Sequence, residues 1–519
     1  MSITLETLAK APSMISVIMK KVRKFSCVIS CFACLTLTAK DLSDSPDPSP
    51  STSPMVGLPP AVSSQNKDGG KEENGAGAAP LPTASTTSID SLQRPNFLIV
   101  MGDDISFNSF GCANPDGFTK TPNIDTLAKQ GMRLTNFHCS SAVCTPVRHE
   151  LYTGLLPPSS GVFDKSEKPF GKFKNVFTHL SELGYAVGLA GKTDFPSRYP
   201  IKHIPGYAGL SNDPKPASDI TGVKKFVTTA AAEKKNFCVF LCSVNAHHPW
   251  TMGDKSHFPV NAIKLPPHMV DTPKTREVMS EHLAEVEVFD EQVGEATRML
   301  KEVNLDSNTI VIVLSEQGMS LPQGKWSIYE FGCRALCVIR WPGHIPAGVT
   351  TPAVAMYCDI LPTLIDIAGG KQPEGIDGKS LKGVLNRETS EHRKYAFLVK
   401  NQYQRAIVGG RYKLVWTPSE DDFKSPSTSN THNSNFAAAW GEWLEAAKKD
   451  PEAKKKVDRV VKHTLYELYD LQDDPFEMVD LAKNPKYAET LKTMTEDLKL
   501  EIKNLKDSMN KSSAKAFGE

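Results

Sequence analysis

Residues 95–104 read PNFLIVMGDD: five consecutive apolar side chains, Phe97 to Met101, run into the paired acids Asp103 and Asp104. An unbroken apolar run of this length predicts a strand buried on both faces, the kind found in sheets covered by helices on each side. The chain beyond keeps the pattern. Thr121-Pro122 predict a helix start, with Thr121 as cap and proline at the first helical position, and Gly131 ends it. Residues 176–183 read as a short helix stopped by Gly184, followed by a strand from Tyr185 to Ala190. Phe237 to Val244 is another apolar run. Residues 273–302 predict a long helix, capped by Asp271 or Thr272, with Pro273 at its start. Leu283, Val286, Phe289, Val293, Ala296 and Leu300 would line its buried face. Thr309 to Leu314 forms a further buried strand.

Strands alternating with helices predict an α/β domain with a large, mainly parallel mixed sheet sandwiched by helices, spanning 95–390. Such sheets carry their sites at the carboxyl ends of the strands. The polar residues just after each run should therefore converge: Asp103 and Asp104, Lys192, His247, and Glu316 with Gln317. Asp103, Asp104, Glu316 and Gln317 offer only oxygen donors, which suit Ca²⁺ or Mg²⁺ rather than zinc. Strand alternation admits only one of His247 and His248 to that site.

The remainder reads differently. Residues 417–435 form a polar loop, and Trp440 to His463 is mostly helical and charged. Residues 465–481 suggest a strand and turn, and 484–507 a last amphipathic helix. These make a smaller C-terminal α+β subdomain, 391–519, with a helical insertion and a terminal helix. At the other end, the basic segment KKVRK at 20–24 precedes a short apolar stretch, Phe25 to Ala39. That is the shape of a signal peptide, 1–39, with Met19 as an alternative start. The apolar part is too short to span a membrane, so no transmembrane anchor is expected. Export to the periplasm or the exterior follows; a surface lipoprotein attached through Cys31 is the alternative. Residues 40–94, rich in Ser, Pro and Gly, predict a disordered linker.

The 519 residues carry a formal net charge of +1 and are 40% hydrophobic. Near-zero charge leaves no electrostatic footprint for nucleic acid or an anionic membrane. A core this large needs no disulfides. Eleven cysteines are scattered without paired CxxC motifs, which argues against structural zinc. Cys238 and Cys242 would share a strand face yet lie too far apart to bridge.

The most specific signal is Cys144-Thr145-Pro146-Val147-Arg148, continuing His149-Glu150-Leu151-Tyr152-Thr153-Gly154. It resembles the signature of the formylglycine-dependent sulfatase family, C-x-P-x-R followed by x-x-L-x-T-G, with Val147 where many members carry Ser. Around it, Asn123-Ile124-Asp125, Gly191-Lys192, Asn245 to Trp250, Ser315-Glu316-Gln317-Gly318 and Gly324-Lys325-Trp326 are similar to family segments in the same order. Leu468-Tyr469-Asp470-Leu471 is similar to its C-terminal strand. The resemblance implies an alkaline-phosphatase-like fold, bound Ca²⁺, and conversion of Cys144 to formylglycine by a formylglycine-generating maturation enzyme. The hydrated aldehyde would attack sulfur with one hydroxyl, and loss of a proton from the other would release sulfate. Residue 144 joins Asp103, Asp104, Glu316 and Gln317 around the metal. Arg148 would hold the nucleophile, Lys192 and Lys325 the sulfate oxygens, and His247 would act near the leaving oxygen. Asp194 stands where members commonly carry His, so it enters the substrate-binding set with Lys192, His247 and Lys325.

The implied substrate is a sulfated carbohydrate, carrying a sulfate ester or an N-sulfate. The Ser315–Gly318 segment and the Trp440–His463 insertion are similar to secreted bacterial sulfatases of the heparan N-sulfatase-like kind. Two alternatives compete: a phosphate or phosphonate ester hydrolase of the same superfamily, and an unmodified, non-catalytic glycan-binding relative.

Overall fold

The computed structural model describes residues 94–507, apart from 115–116, 118, 196–198, 208–218, 402 and 419–433. The expected signal peptide, the linker up to residue 93 and most of the polar loop at 417–435 lie outside the described residues. The strands of the large sheet are β1 (Asn96–Met101), β2 (Met132–His138), β3 (Ala186–Gly191), β4 (His203–Ile204), β5 (Phe237–Cys242), β6 (Thr309–Leu314), β7 (Cys337–Arg340) and β8 (Val349–Met356). The helices of seven residues or more are α1 (Pro122–Gln130), α2 (Cys144–Thr153), α3 (Val176–Glu182), α4 (Thr221–Ala232), α5 (Pro273–Glu302), α6 (Ile360–Ile367), α7 (Ser434–Ala447), α8 (Pro451–Val461) and α9 (Ala488–Asn504).

The sheet runs β4-β3-β5-β1-β6-β7-β2-β8. Every pairing is parallel except those of β7, which is antiparallel to both β6 and β2. The sheet is thus mainly parallel and mixed, as expected. β1 lies between β5 and β6, and all three are buried along their whole length. Their continuous apolar runs follow from that position. Phe97, Ile99 and Met101 face one apolar layer, with α2, α3 and α6, while Leu98 and Val100 face the other, with α1, α4 and α5. Each fully buried aliphatic or aromatic side chain contributes roughly 1.5–3 kcal/mol.

Two helix starts repay comparison. α5 begins at Pro273, and Thr272 caps it by accepting from the Thr275 N–H at 3.2 Å. Asp271 instead pairs in fork geometry with Arg276, at 2.6 and 2.7 Å. All six residues predicted for the buried face of α5 are buried. α1 departs from expectation, because Thr121 does not cap it. The Thr121 hydroxyl accepts from Gly111 N–H and donates to Asp125. The first-turn amides of Asn123 and Ile124 donate to Asp290 on α5, at 3.1 and 2.8 Å. A remote carboxylate has replaced the local cap.

The second sheet is small and antiparallel, in the order β12-β11-β10-β9: β9 is Ala396–Lys400, β10 Gln404–Val408, β11 Tyr412–Trp416 and β12 Tyr466–Asp470. The insertion forms α7 and α8; α7 packs on α5 of the large layer and α8 packs on α7. Trp443 is fully buried there and its Nε1–H donates to Thr275 Oγ1 at 2.7 Å. Trp443→Ala should destabilise the fold by about 3–5 kcal/mol through the cavity it leaves. Denaturant unfolding measures it; a loss below about 1 kcal/mol would show that α7 docks without this anchor. The eight described cysteines are all free thiols. Among the described residues, no helix is long and apolar enough to cross a membrane.

Candidate active site

The carboxyl ends of β1, β3, β5 and β6, with the segment after β2, bring the predicted residues together. Asp103 and Asp104 follow β1 and are buried. Lys192 follows β3 through Gly191, whose φ is 89° and whose missing Cβ leaves room for the Cys242 carbonyl; a Cβ there would sit 2.0 Å from that oxygen. Only glycine tolerates both the angle and the approach. Glu316 and Gln317 follow β6, and Gly318 lets the chain pass the Phe331 carbonyl, 1.8 Å from where a Cβ would be. Cys144 is the first residue of α2, preceded by extended Val143, and the first turn holds no acid. The partial positive end of that helix therefore faces the cluster. Lys325 is carried by a loop fixed by two backbone bonds, Lys325 N–H to Met319 carbonyl and Trp326 N–H to Ala142 carbonyl. The second ties it to the residues leading into Cys144.

The geometry is compact. Ligand atoms from Asp103, Asp104, Cys144 and Glu316 all lie within 4.8 Å of one another. Lys192 Nζ donates to Asp103 at 2.6 Å, and lies 3.3 Å from Asp194 and 4.0 Å from Glu316. Lys325 Nζ meets the two oxygens of Asp104 at 2.8 and 2.9 Å. Arg148 Nε donates to Glu316 at 2.6 Å and its NH1 to the Lys192 carbonyl at 2.8 Å. The Gln317 amide donates to Asp104 at 2.5 Å and to Cys144 Sγ at 3.4 Å.

His247 and not His248 lies against the carboxylates, as the expectation of a single histidine had it, but strand alternation is not the reason. β5 stops at Cys242, so alternation does not reach residues 247 and 248. A turn closed by His247 N–H to Val244 carbonyl, containing the cis Asn245–Ala246 bond and followed by the cis His248–Pro249 bond, sets them instead. His247 Nε2 lies 3.8 Å from Asp104, while the His248 ring packs edge-on against Trp250. His247 Nδ1 lies 2.6 Å from the His248 carbonyl. An acceptor there fixes the proton on Nδ1 and turns Nε2 to the site.

Burial sets the electrostatics, and the charges redistribute it. Burial would raise the Asp103 carboxyl, but Lys192 and the neighbouring cations hold it well below the usual carboxylate range. Burial pushes Glu316 up to about 8, with Arg148 opposing and Asp103 adding. Burial, then Glu316, push the Cys144 thiol up to about 12. Burial and then Lys325 lower His247 to about 4. Burial disfavours the ammonium groups, yet Asp103 holds Lys192 and Asp104 holds Lys325 charged.

The donor set fits a hard divalent cation. Glu316 Oε2 and Gln317 Oε1 are buried oxygens without a hydrogen-bond donor, beside the two aspartates. Such oxygens are costly unless something positive meets them. Two further groups reach the site, one on the family-like segment at Asn245 and one, on α5, that the sequence reading did not single out. The Asn245 carbonyl accepts from the Asp103 N–H at 2.9 Å, and His282 on α5 contacts the Asp104 carbonyl at 3.0 Å.

A family model described as "Sulfatase" matches residues 95–370, and one described as "N-sulphoglucosamine sulphohydrolase, C-terminal" matches 323–420. An ulvan-active sulfatase of Formosa agariphila is 28% identical over 419 residues, covering 78% of this chain and 79% of its own. A protein solved with its substrate D-glucosamine-2-N,6-O-disulfate superposes with a TM-score of 0.61 at 20% identity, covering 80% of this chain and 99% of that one. The phosphonate monoester hydrolase of Agrobacterium radiobacter superposes with a TM-score of 0.60 at 18% identity, covering 79% and 96%. At these identities the two structures establish the shared fold.

Proposed function

Because the chain belongs to the sulfatase family and is a sulfuric ester hydrolase, we propose that it strips sulfate from a sulfated carbohydrate, using a formylglycine made from Cys144 and bound Ca²⁺. The observation that carries this reading is the meeting of Asp103, Asp104, Glu316 and Cys144 ligand atoms within 4.8 Å, beside Lys192 and Lys325. Three carboxyl groups here face three fixed cations, Arg148, Lys192 and Lys325. A divalent cation added to that balance leaves the site net positive, which suits an anionic sulfate ester.

Asp103, Asp104, Glu316 and Gln317 would hold the cation together with residue 144. When bound, it supplies a Lewis acid that polarises an oxygen at residue 144 and offsets charge on the sulfate. A hydrated aldehyde at residue 144 would supply one hydroxyl for attack on sulfur and a second whose deprotonation allows sulfate to leave. The unmodified thiol cannot substitute, because it has no second hydroxyl through which sulfate could leave. Lys192, paired with Asp103, and Lys325, paired with Asp104, bind sulfate oxygens. Arg148 orients residue 144 from one turn along α2, and its NH2 is buried without a hydrogen-bond partner. His247 delivers a proton from Nε2 to the oxygen of the departing alcohol, once the substrate anion has drawn that proton onto the ring. Asp194 lies against Lys192 and holds its ammonium toward the sulfate.

The phosphonate hydrolase shares the fold, so the fold alone does not separate the two readings; the match to the sulfatase family favours sulfate. The ulvan-active relative and the disulfated glucosamine in the superposed structure support a carbohydrate substrate. The C-terminal match to an N-sulphoglucosamine sulphohydrolase supports including N-sulfate. The signal-like segment at 20–39 makes export part of this proposal, with the maturation enzyme acting on the unfolded chain. The test is sulfate release from 4-nitrophenyl sulfate and from a panel of O- and N-sulfated glycans; release from none of them would reject the reading. Lys325→Ala should lower kcat/KM by about 10²–10³-fold. An unchanged value in steady-state assays would remove Lys325 from sulfate binding.

A further inference from the structure

The long helix α5 buries an acid, Glu285, that the chemistry above does not use. Its Oε1 accepts from the Thr251 N–H at 2.8 Å and the Met252 N–H at 3.0 Å. Its Oε2 accepts from the side-chain amide of Asn245. One carboxylate therefore ties together both ends of the segment 245–252, which carries His247. Asn245 is held twice by α5, since Gln292 donates to its Oδ1 at 2.9 Å. The backbone carbonyl of Asn245 in turn accepts from Asp103 N–H. Glu285 and Gln292 are seven residues apart, hence on one helix face.

The His247 side chain takes its orientation from this segment. Its Nδ1 contact is to the adjacent His248 carbonyl, and Trp250 Nε1–H closes the same turn on the Ala246 carbonyl. Glutamate suits the position because three N–H donors converge on two acceptor oxygens. Glutamine would keep one acceptor and turn an NH₂ group against a donor.

We propose that Glu285 is a positioning residue: through Asn245 and the amides of Thr251 and Met252, it holds His247 at the leaving-group oxygen. This rests on His247 being the general acid. The test compares wild type, His247→Ala, Glu285→Gln and the double variant Glu285→Gln/Asn245→Asp on phenyl sulfates from 4-nitrophenyl to 4-methoxyphenyl. Proton delivery matters little for a stable phenolate and more as the leaving group becomes basic. Glu285→Gln should cost no more than about threefold in kcat on 4-nitrophenyl sulfate and about thirtyfold on 4-methoxyphenyl sulfate, part of the 10²–10⁴-fold range of general acids. The double variant restores donor-to-acceptor pairing and should recover the 4-methoxyphenyl rate to within about fivefold. Uniform loss across the series, as a structural defect gives, or no loss at all, overturns the proposal. A steep response in His247→Ala with a flat one in Glu285→Gln overturns the positioning role alone. A flat response in His247→Ala removes the general acid, and the proposal with it.

Discussion

Cys144→Ala should abolish sulfate ester turnover, with a loss of roughly 10⁴-fold or more, because it removes the nucleophile itself. The surroundings survive the change. Cys144 is the first residue of α2, and its Sγ is met by Gln317 at 3.4 Å and Asp103 at 3.9 Å, so alanine leaves helix and carboxylates in place. The variant should unfold within a few degrees of the wild type, which separates loss of chemistry from loss of fold. Cys144→Ser should also fail in multiple turnover, since a single hydroxyl offers no route for sulfate to leave. The mass of the wild-type peptide containing residue 144 completes the experiment: conversion to the aldehyde makes it about 18 Da lighter than the cysteine form. Wild-type-like rates in Cys144→Ala would end the formylglycine mechanism.

Chelation should be the second large effect. Removing the cation leaves Asp103, Asp104 and Glu316 buried together, and activity should fall by at least about 10³-fold until Ca²⁺ is restored. Stability should respond in a pH-dependent way. Without a cation, burial raises Glu316 from 4.5 to about 8. A carboxyl whose folded value is raised stabilises most fully below its unfolded value, and that contribution is lost as pH rises toward the folded one. The chelated protein should therefore weaken between about pH 5 and pH 8. Cation binding strengthens over the same window, because protons no longer compete for the ligands. Asp103 has the opposite sign, but its depressed value puts its change at more acid pH. The gap in Tm between Ca²⁺-loaded and chelated protein should thus widen from pH 5 to pH 8. A gap that stays constant would show that Glu316 is not a ligand.

Much of this was legible in the sequence because the signals were local. Thr309–Leu314 is a strand with the predicted ends, and α5 begins at the predicted Pro273, because apolar periodicity and capping chemistry act over a few neighbouring residues. The site was legible through the same strands. A parallel sheet puts all its carboxyl ends on one edge, so Asp103, Asp104, Lys192 and Glu316 had to meet once the runs were read correctly. Local signals failed where a distant group competed. Thr121 lost the cap of α1 to Asp290, 166 to 167 positions away from the amides it serves. His247 was separated from His248 by a turn beyond the end of β5, which no alternation rule describes. Glu285 reads as an ordinary acid on a helix until Asn245, Thr251 and Met252 are brought against it. The sequence by itself determined the central strands β1, β3, β5 and β6, the helices α1, α3 and α5, and the set of groups delivered to one edge. Tertiary structure alone decided which donor satisfies which acceptor, because partners far apart along the chain compete on equal terms only after the core has packed.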